Sequence, residues 1–237
     1  MIRQLATILT TVAVTAAVGQ AQDASRFHVG AHAGYTQFGE AAALENDAFL
    51  GVDAAYRLAS LNLGGLDVGL GFTFAASRPK TTGDQFPAIA FDFGDTTFIQ
   101  TVAQRITMLQ YAAQAQLGGN FGRARLYGMG GGGAYSLIVD ARQNLGGEVR
   151  TAPMGLIGGG FEYAIGQDFG LRFEARDMIM FDYERDFLDP TVGYIRDRRI
   201  RDALPPPVPA KSSIHNVQAS LVFTYVPNRR GSVGEGR

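Results

Sequence analysis

The chain has no cysteine, so no disulfide framework, thiol nucleophile or thiolate metal site can form. That absence fits a protein that crosses an oxidising compartment unfolded. Net charge is nearly absent too: 21 Lys and Arg against 22 Asp and Glu leave −1 at pH 7, and no global basic field draws in nucleic acid. Histidine is scarce, with three residues in the chain. His28 and His32 share one face of an extended segment, about 13 Å apart at ~3.3 Å per residue, too far for one metal ion. His215 falls on the apolar face of its own segment. No cofactor, metal site or catalytic group is expected. Past the N-terminus there is no apolar run of about 18 residues, which excludes a helical membrane span. The mean hydropathy of +0.01 is too polar for a helical membrane protein and too apolar for a disordered chain.

What is present begins with an N-terminal targeting pattern. Arg3 supplies a positive start, residues 5–18 are uncharged and rich in Ala, Val and Thr, and Gly19-Gln20-Ala21 offers small residues where a signal peptidase reads. Residues 1–21 are therefore expected to be a cleaved signal peptide, 22–226 the folded domain and 227–237 a flexible tail.

The remainder alternates with a period of two. In 27–38, Phe27, Val29, Ala31, Ala33 and Tyr35 oppose His28, Gly30, His32, Gly34 and Thr36. In 48–60, Leu50, Val52, Ala54, Tyr56 and Leu58 oppose Gly51, Asp53, Ala55 and Arg57. In 66–77, Leu66, Val68, Leu70, Phe72 and Phe74 oppose Asp67, Gly69, Gly71, Thr73 and Ala75. Segment 107–118 sets Leu109, Tyr111 and Leu117 against Gln110, Gln114 and Gln116. Segment 125–140 sets Tyr127, Met129, Tyr135, Leu137 and Val139 against a row of glycines, Ala134 and Ser136. Segment 152–165 sets Ile157, Phe161 and Tyr163 against Gly158, Gly160 and Glu162. Segment 170–183 sets Leu171, Phe173 and Ala175 against Arg172, Glu174 and Arg176. Segment 213–226 sets His215, Val217, Leu221, Phe223 and Tyr225 against Asn216, Gln218, Ser220 and Thr224.

These eight candidate strands are joined by connections that alternate short and long: 39–47, 61–65, 78–106, 119–124, 141–151, 166–169 and 184–212. An up-and-down barrel with both termini at one end requires that rhythm, and a Greek-key sandwich does not. Each strand meets the roughly 9–11 residues that a tilted strand needs to cross hydrocarbon. Lipid cannot satisfy backbone N–H groups, so such a sheet must close, with an apolar exterior and a lumen that admits polar groups. The fold expected is an all-β, closed antiparallel up-and-down transmembrane barrel. Tyr35, Tyr56, Tyr127, Tyr135, Tyr163 and Tyr225 fall on the apolar faces, where interfacial girdles form.

By parity, Asp53, Arg57, Asp67, Glu162, Arg172, Glu174 and Arg176 point into the lumen. Charges enclosed there need partners, and the expectation is a polar plug, with a narrow ion path as the alternative. Gly128-Met129-Gly130-Gly131-Gly132-Gly133 matches a dinucleotide-binding pattern formally, yet it lies inside a strand pattern with no helix to follow. Its simpler meaning is close backbone approach. The loop 184–212 carries Tyr194-Ile195-Arg196-Asp197-Arg198-Arg199-Ile200-Arg201-Asp202 and Leu204-Pro205-Pro206-Pro207, a solvated surface or a contact for anionic lipopolysaccharide. Phe86, Phe91, Phe93 and Phe98 in the loop 78–106 are candidates for a cap over the barrel mouth.

Segment 170–177, Gly-Leu-Arg-Phe-Glu-Ala-Arg-Asp, resembles the penultimate strand of the outer-membrane β-barrel domain family, in its OmpA- and OmpX-like group. The last strand is similar to that family's assembly signal at Gln218, Ser220, Phe223 and Tyr225, with Ser220 in place of the usual Gly and a tail after the aromatic. The resemblance implies a bacterial outer-membrane location, lipid and lipopolysaccharide as surroundings, and the barrel-assembly machinery as a transient partner. The function expected is that of a non-enzymatic barrel with a filled lumen, serving envelope structure or surface interaction. A porin-like channel, an outer-membrane lipid or peptide hydrolase and a soluble periplasmic ligand-binding barrel are the alternatives.

Overall fold

The computed structural model describes residues 27–63, 66–82, 86–93, 96–139, 149–165, 168–184, 188 and 211–226, leaving aside the side chains of 59–63, 86–93 and 96–102. The expected signal peptide, the tail 227–237 and nearly all of the loop 184–212, with its Tyr194–Asp202 and Leu204–Pro207 runs, lie outside the described residues, as do the side chains of Phe86, Phe91, Phe93 and Phe98.

Eight strands close a ring: β1 (Phe27–Gln37), β2 (Asp47–Leu63), β3 (Leu66–Ser77), β6 (Ile106–Phe121), β7 (Ala124–Val139), β8 (Val149–Ala164), β9 (Phe169–Tyr183) and β10 (Lys211–Tyr225). Neighbours in the ring follow chain order, all antiparallel, and β1 pairs with β10 from Val29↔Tyr225 to Gln37↔Val217 to seal it. All four long connections emerge at one end, the loop end, and the tight turns at the other. Between β3 and β6 the chain is not a plain loop as the sequence pattern suggested. It holds a separate two-stranded hairpin, β4 (Phe86–Phe93) and β5 (Thr96–Val102), registered with Phe91 opposite Phe98.

The pleat sorts side chains between two solvents. Leu50, Phe121, Ile157 and Phe173 are more than half exposed on the outside, a surface no water-soluble monomer would carry at this extent. At the turn end Phe169 stacks on Phe223 and Tyr225, with ring centroids 5.4 and 5.3 Å apart, as an aromatic girdle does.

Inside, the lumen has two storeys. Charged and amide side chains fill the turn-end half, and an apolar cluster including Ile106, Met108, Leu137, Met154, Met178, Met180 and Ile214 fills the loop-end half. That second storey corrects the expectation of a polar lumen throughout. It also explains the error on β7, where Tyr127, Met129, Tyr135, Leu137 and Val139 point inward rather than outward and all are at least 95% buried. With bulky residues inside and Gly128, Gly130 and Gly132 outside, apolarity is no guide to the lipid face. Tyr127 and Tyr135 therefore belong to no girdle, whereas Tyr35, Tyr56, Tyr163 and Tyr225 are exposed as expected.

Candidate functional site

All seven charged residues assigned to the lumen by parity lie there, and the register of the strands brings them together. Arg172 from β9 is the hub and is 1% exposed. Its guanidinium lies 2.9 Å from Asp53 of β2 and 2.9 Å from Glu174 on its own strand. Tyr127 Oη donates to Glu174 at 2.6 Å. Nearer the turn end, Arg57 donates to Glu162 at 2.9 Å. Arg125 of β7 makes a forked contact with Asp67, its Nε at 3.1 Å, and reaches Gln116 Oε1 at 3.2 Å and Glu162 at 3.9 Å. Arg125 was missed with the inverted face of β7. The signal that finds it is charge balance: the seven assigned residues sum to −1, three arginines against four carboxylates, and Arg125 brings the count to four against four.

A second, amide-based layer lies above. Arg176 Nε donates to Gln218 Oε1 at 2.8 Å, and its guanidinium lies over the Phe49 ring, 5.6 Å from the centroid. Gln218 Nε2 donates to Thr36 Oγ1 and Gln110 Oε1, each at 3.0 Å. Gln218 and Ser220, half of the assembly-signal pattern, thus face the lumen, while Phe223 and Tyr225 face out, 50% and 42% exposed. His28 and His32 are buried on the luminal side of β1, and a His32 ring nitrogen meets the Phe74 carbonyl at 3.3 Å. Among the described residues no group of three or more His, Asp or Glu is placed to hold a metal ion. The glycine run 128–133 lies in mid-strand, with no helix at its end.

His215 does point outward. Its Nδ1 is 2.6 Å from Asp177 of β9, which sequence reasoning did not single out. Asp177 also accepts the backbone N–H of Asn216 at 3.1 Å, and Asn216 Oδ1 accepts that of Gly39 at 3.0 Å. These groups pin β9, β10 and the first loop together. That loop turns back into the barrel mouth: a 3-10 turn, Glu40–Ala42, leads into the bridge Leu44↔Thr81, with Ala42 and Leu44 buried in the apolar cluster.

Among solved structures the fold is similar to that of Neisserial surface protein A, with a TM-score of 0.51, 12% identity, and coverage of 84% of this chain and 96% of that one. Ail, the attachment invasion locus protein of Yersinia pestis, matches at a TM-score of 0.40 and 13% identity, covering 84% of this chain and 99% of that one. The N-terminal barrel domain of Pseudomonas aeruginosa OprF matches at 0.34 and 11% identity, covering 84% and 97%. No curated protein matches in sequence. Residues 6–195 match the family model of the outer membrane protein beta-barrel domain. With eight apolar-faced strands in a sealed ring around a paired set of charges, the chain belongs to that family and is a bacterial outer-membrane barrel.

Proposed function

We propose that this barrel is not a conducting pore but a non-enzymatic element of envelope structure or surface interaction. The observation that supports it is that side chains block the lumen in both storeys. Arg172 blocks the polar storey, and Met108, Met178 and Met180, all fully buried, block the apolar one. A hydrophobic constriction excludes ions by dewetting even where a gap exists, and an eight-stranded interior is just wide enough for side chains to fill. Outside, the apolar wall meets lipid, the loops meet lipopolysaccharide, and the barrel-assembly machinery inserts the chain. The test is single-channel recording on the refolded mature protein in planar bilayers. No discrete current steps are expected, and steps that change when Arg172 or Glu174 is neutralised would establish the channel reading instead.

A further inference from the structure

The apolar storey is built as a cup, and part of what fills it is loop rather than wall. Met108, Tyr135, Leu137, Met154, Met178 and Met180 project from four strands to form its sides. Phe38, Ala42 and Leu44, from the connection between β1 and β2, sit in it as a plug, 7%, 0% and 3% exposed. The plug is held at its centre by Tyr183, whose Oη donates to the Ala42 carbonyl at 2.6 Å. Its flanks are tied by Gly39 N–H to Asn216 and by Thr82 N–H to the Ala43 carbonyl at 2.8 Å.

The backbone on both sides of that central latch is strained. Among the described residues only two non-glycine residues have positive φ: Ala43 at 51° and Asp182 at 50°. Ala43 follows the residue that accepts the latch hydrogen bond, and Asp182 precedes the tyrosine that donates it. Left-handed backbone costs an L-residue on the order of 1–2 kcal/mol, least for Asp or Asn and more for Ala, and it persists only where the surroundings over-determine it, typically at clamps and switches. Gly at 43 would carry the same turn without strain, giving up only the one buried Ala43 methyl. Four methionines among the six sides of the cup add a second pointer. Unbranched and polarizable, they refill around occupants of different shape, which a cup made only to be plugged by its own loop does not need.

We infer that this cup is a binding site for a small, uncharged, apolar molecule admitted from the outer face, and that segment 38–44 is its strained lid, occupying the site in place of the ligand. Displacement exchanges Phe38, Ala42 and Leu44 for an apolar body of similar bulk, of the size of an indole ring, and relaxes Ala43. The charged storey beneath keeps its own partners throughout, so the lid opens onto a closed floor and admits a ligand without making a channel.

The test is methyl NMR on the mature protein refolded into lipid nanodiscs with 13C-methyl methionine, titrated with indole. Saturable shifts are expected at Met108, Met154, Met178 and Met180, with Met129, in the charged storey, unmoved. Tyr183→Phe removes the latch and is expected to tighten apparent indole binding about fivefold, the population shift from losing one buried hydrogen bond. Ala43→Gly removes strain from the closed lid and is expected to weaken binding about threefold. Retention of heat-modifiable gel migration reports that each variant is a folded barrel. Shifts that rise linearly without saturating, that include Met129 equally, or that are the same in all three proteins overturn the inference.

Discussion

Arg125 illustrates what a sealed lumen demands of each residue in it. The interior is screened from water, so an enclosed charge without a counterpart costs several kcal/mol, and the luminal set has to sum close to zero. Four arginines and four carboxylates meet that condition. Replacing Arg125 with Ala leaves Asp67 without its guanidinium partner, and we expect a loss of about 3 kcal/mol in folding stability, read from urea unfolding in lipid vesicles by circular dichroism. The pair Arg125→Met with Asp67→Leu removes both charges, and most of that loss is expected to return. If the double variant is no more stable than the single one, the network is not held by pairing. At this scale the sequence was informative where a charge sat opposite an apolar row, as with Arg172 opposite Phe173. It was silent on Asp177, whose two partners, His215 and Asn216, lie 38 and 39 residues away.

At the scale of the element, β7 separates what alternation can reveal from what it cannot. A period of two says that a segment is a strand, and it labels the faces only if one of them is polar. The other seven barrel strands meet it at least in part through buried polar side chains on the inner face, down to Glu162 near the turn end of β8. β7 meets it least: apart from Arg125 near its start the inner face is aromatic, aliphatic or glycine, and the outer face carries Gly128, Gly130 and Gly132. The glycines themselves carry the missing label. A Cβ at Gly131 or Gly133 would collide with the backbone of β6, at Ala113 and Gln114 or at Tyr111 and Ala112, whereas at Gly128 and Gly130 it would find only a carbonyl at 3.9 Å. Gly133→Ala is therefore expected to destabilise the barrel by about 2 kcal/mol. Gly130→Ala is expected to stabilise it by ~0.5 kcal/mol, since strand glycine costs conformational entropy. The same unfolding measurement decides it, and the opposite order would return β7 to the face its bulk suggested. The hairpin β4–β5 was missed for a different reason. Pro87 and the brevity of the two runs masked a real signal, the Gly94-Asp95 pair between alternating Phe-rich stretches.

For the whole molecule, the alternation of short and long connections was the most legible feature, because it depends on topology and not on any one residue. It gave the strand number and the common end of the termini, and observed strand ends differ from expected ones by at most three residues, at Leu63, Phe121 and Val149. What it could not give is the second storey of the lumen, since nothing in local patterning says how far a face remains polar. Closure also rests on the last strand. Replacing Phe223 and Tyr225 together with Ala is expected to lower the heat-modifiable, membrane-embedded fraction in cells several-fold while leaving in vitro refolding into detergent largely intact. Equal loss in both settings would assign these rings to stability alone and not to recognition by the assembly machinery.

The seam between β1 and β10 joins residues nearly two hundred positions apart, from Val29 against Tyr225. No nascent fragment can complete the cylinder: a chain that stops before its final strand exposes two open sheet edges, each a template for another copy. The commitment to enter lipid is thus postponed until synthesis is finished, and everything upstream must be carried across the periplasm as unfinished chain. A ribosome stalled in the last fifteen codons of β10 would yield an aggregation seed rather than a slightly shorter barrel.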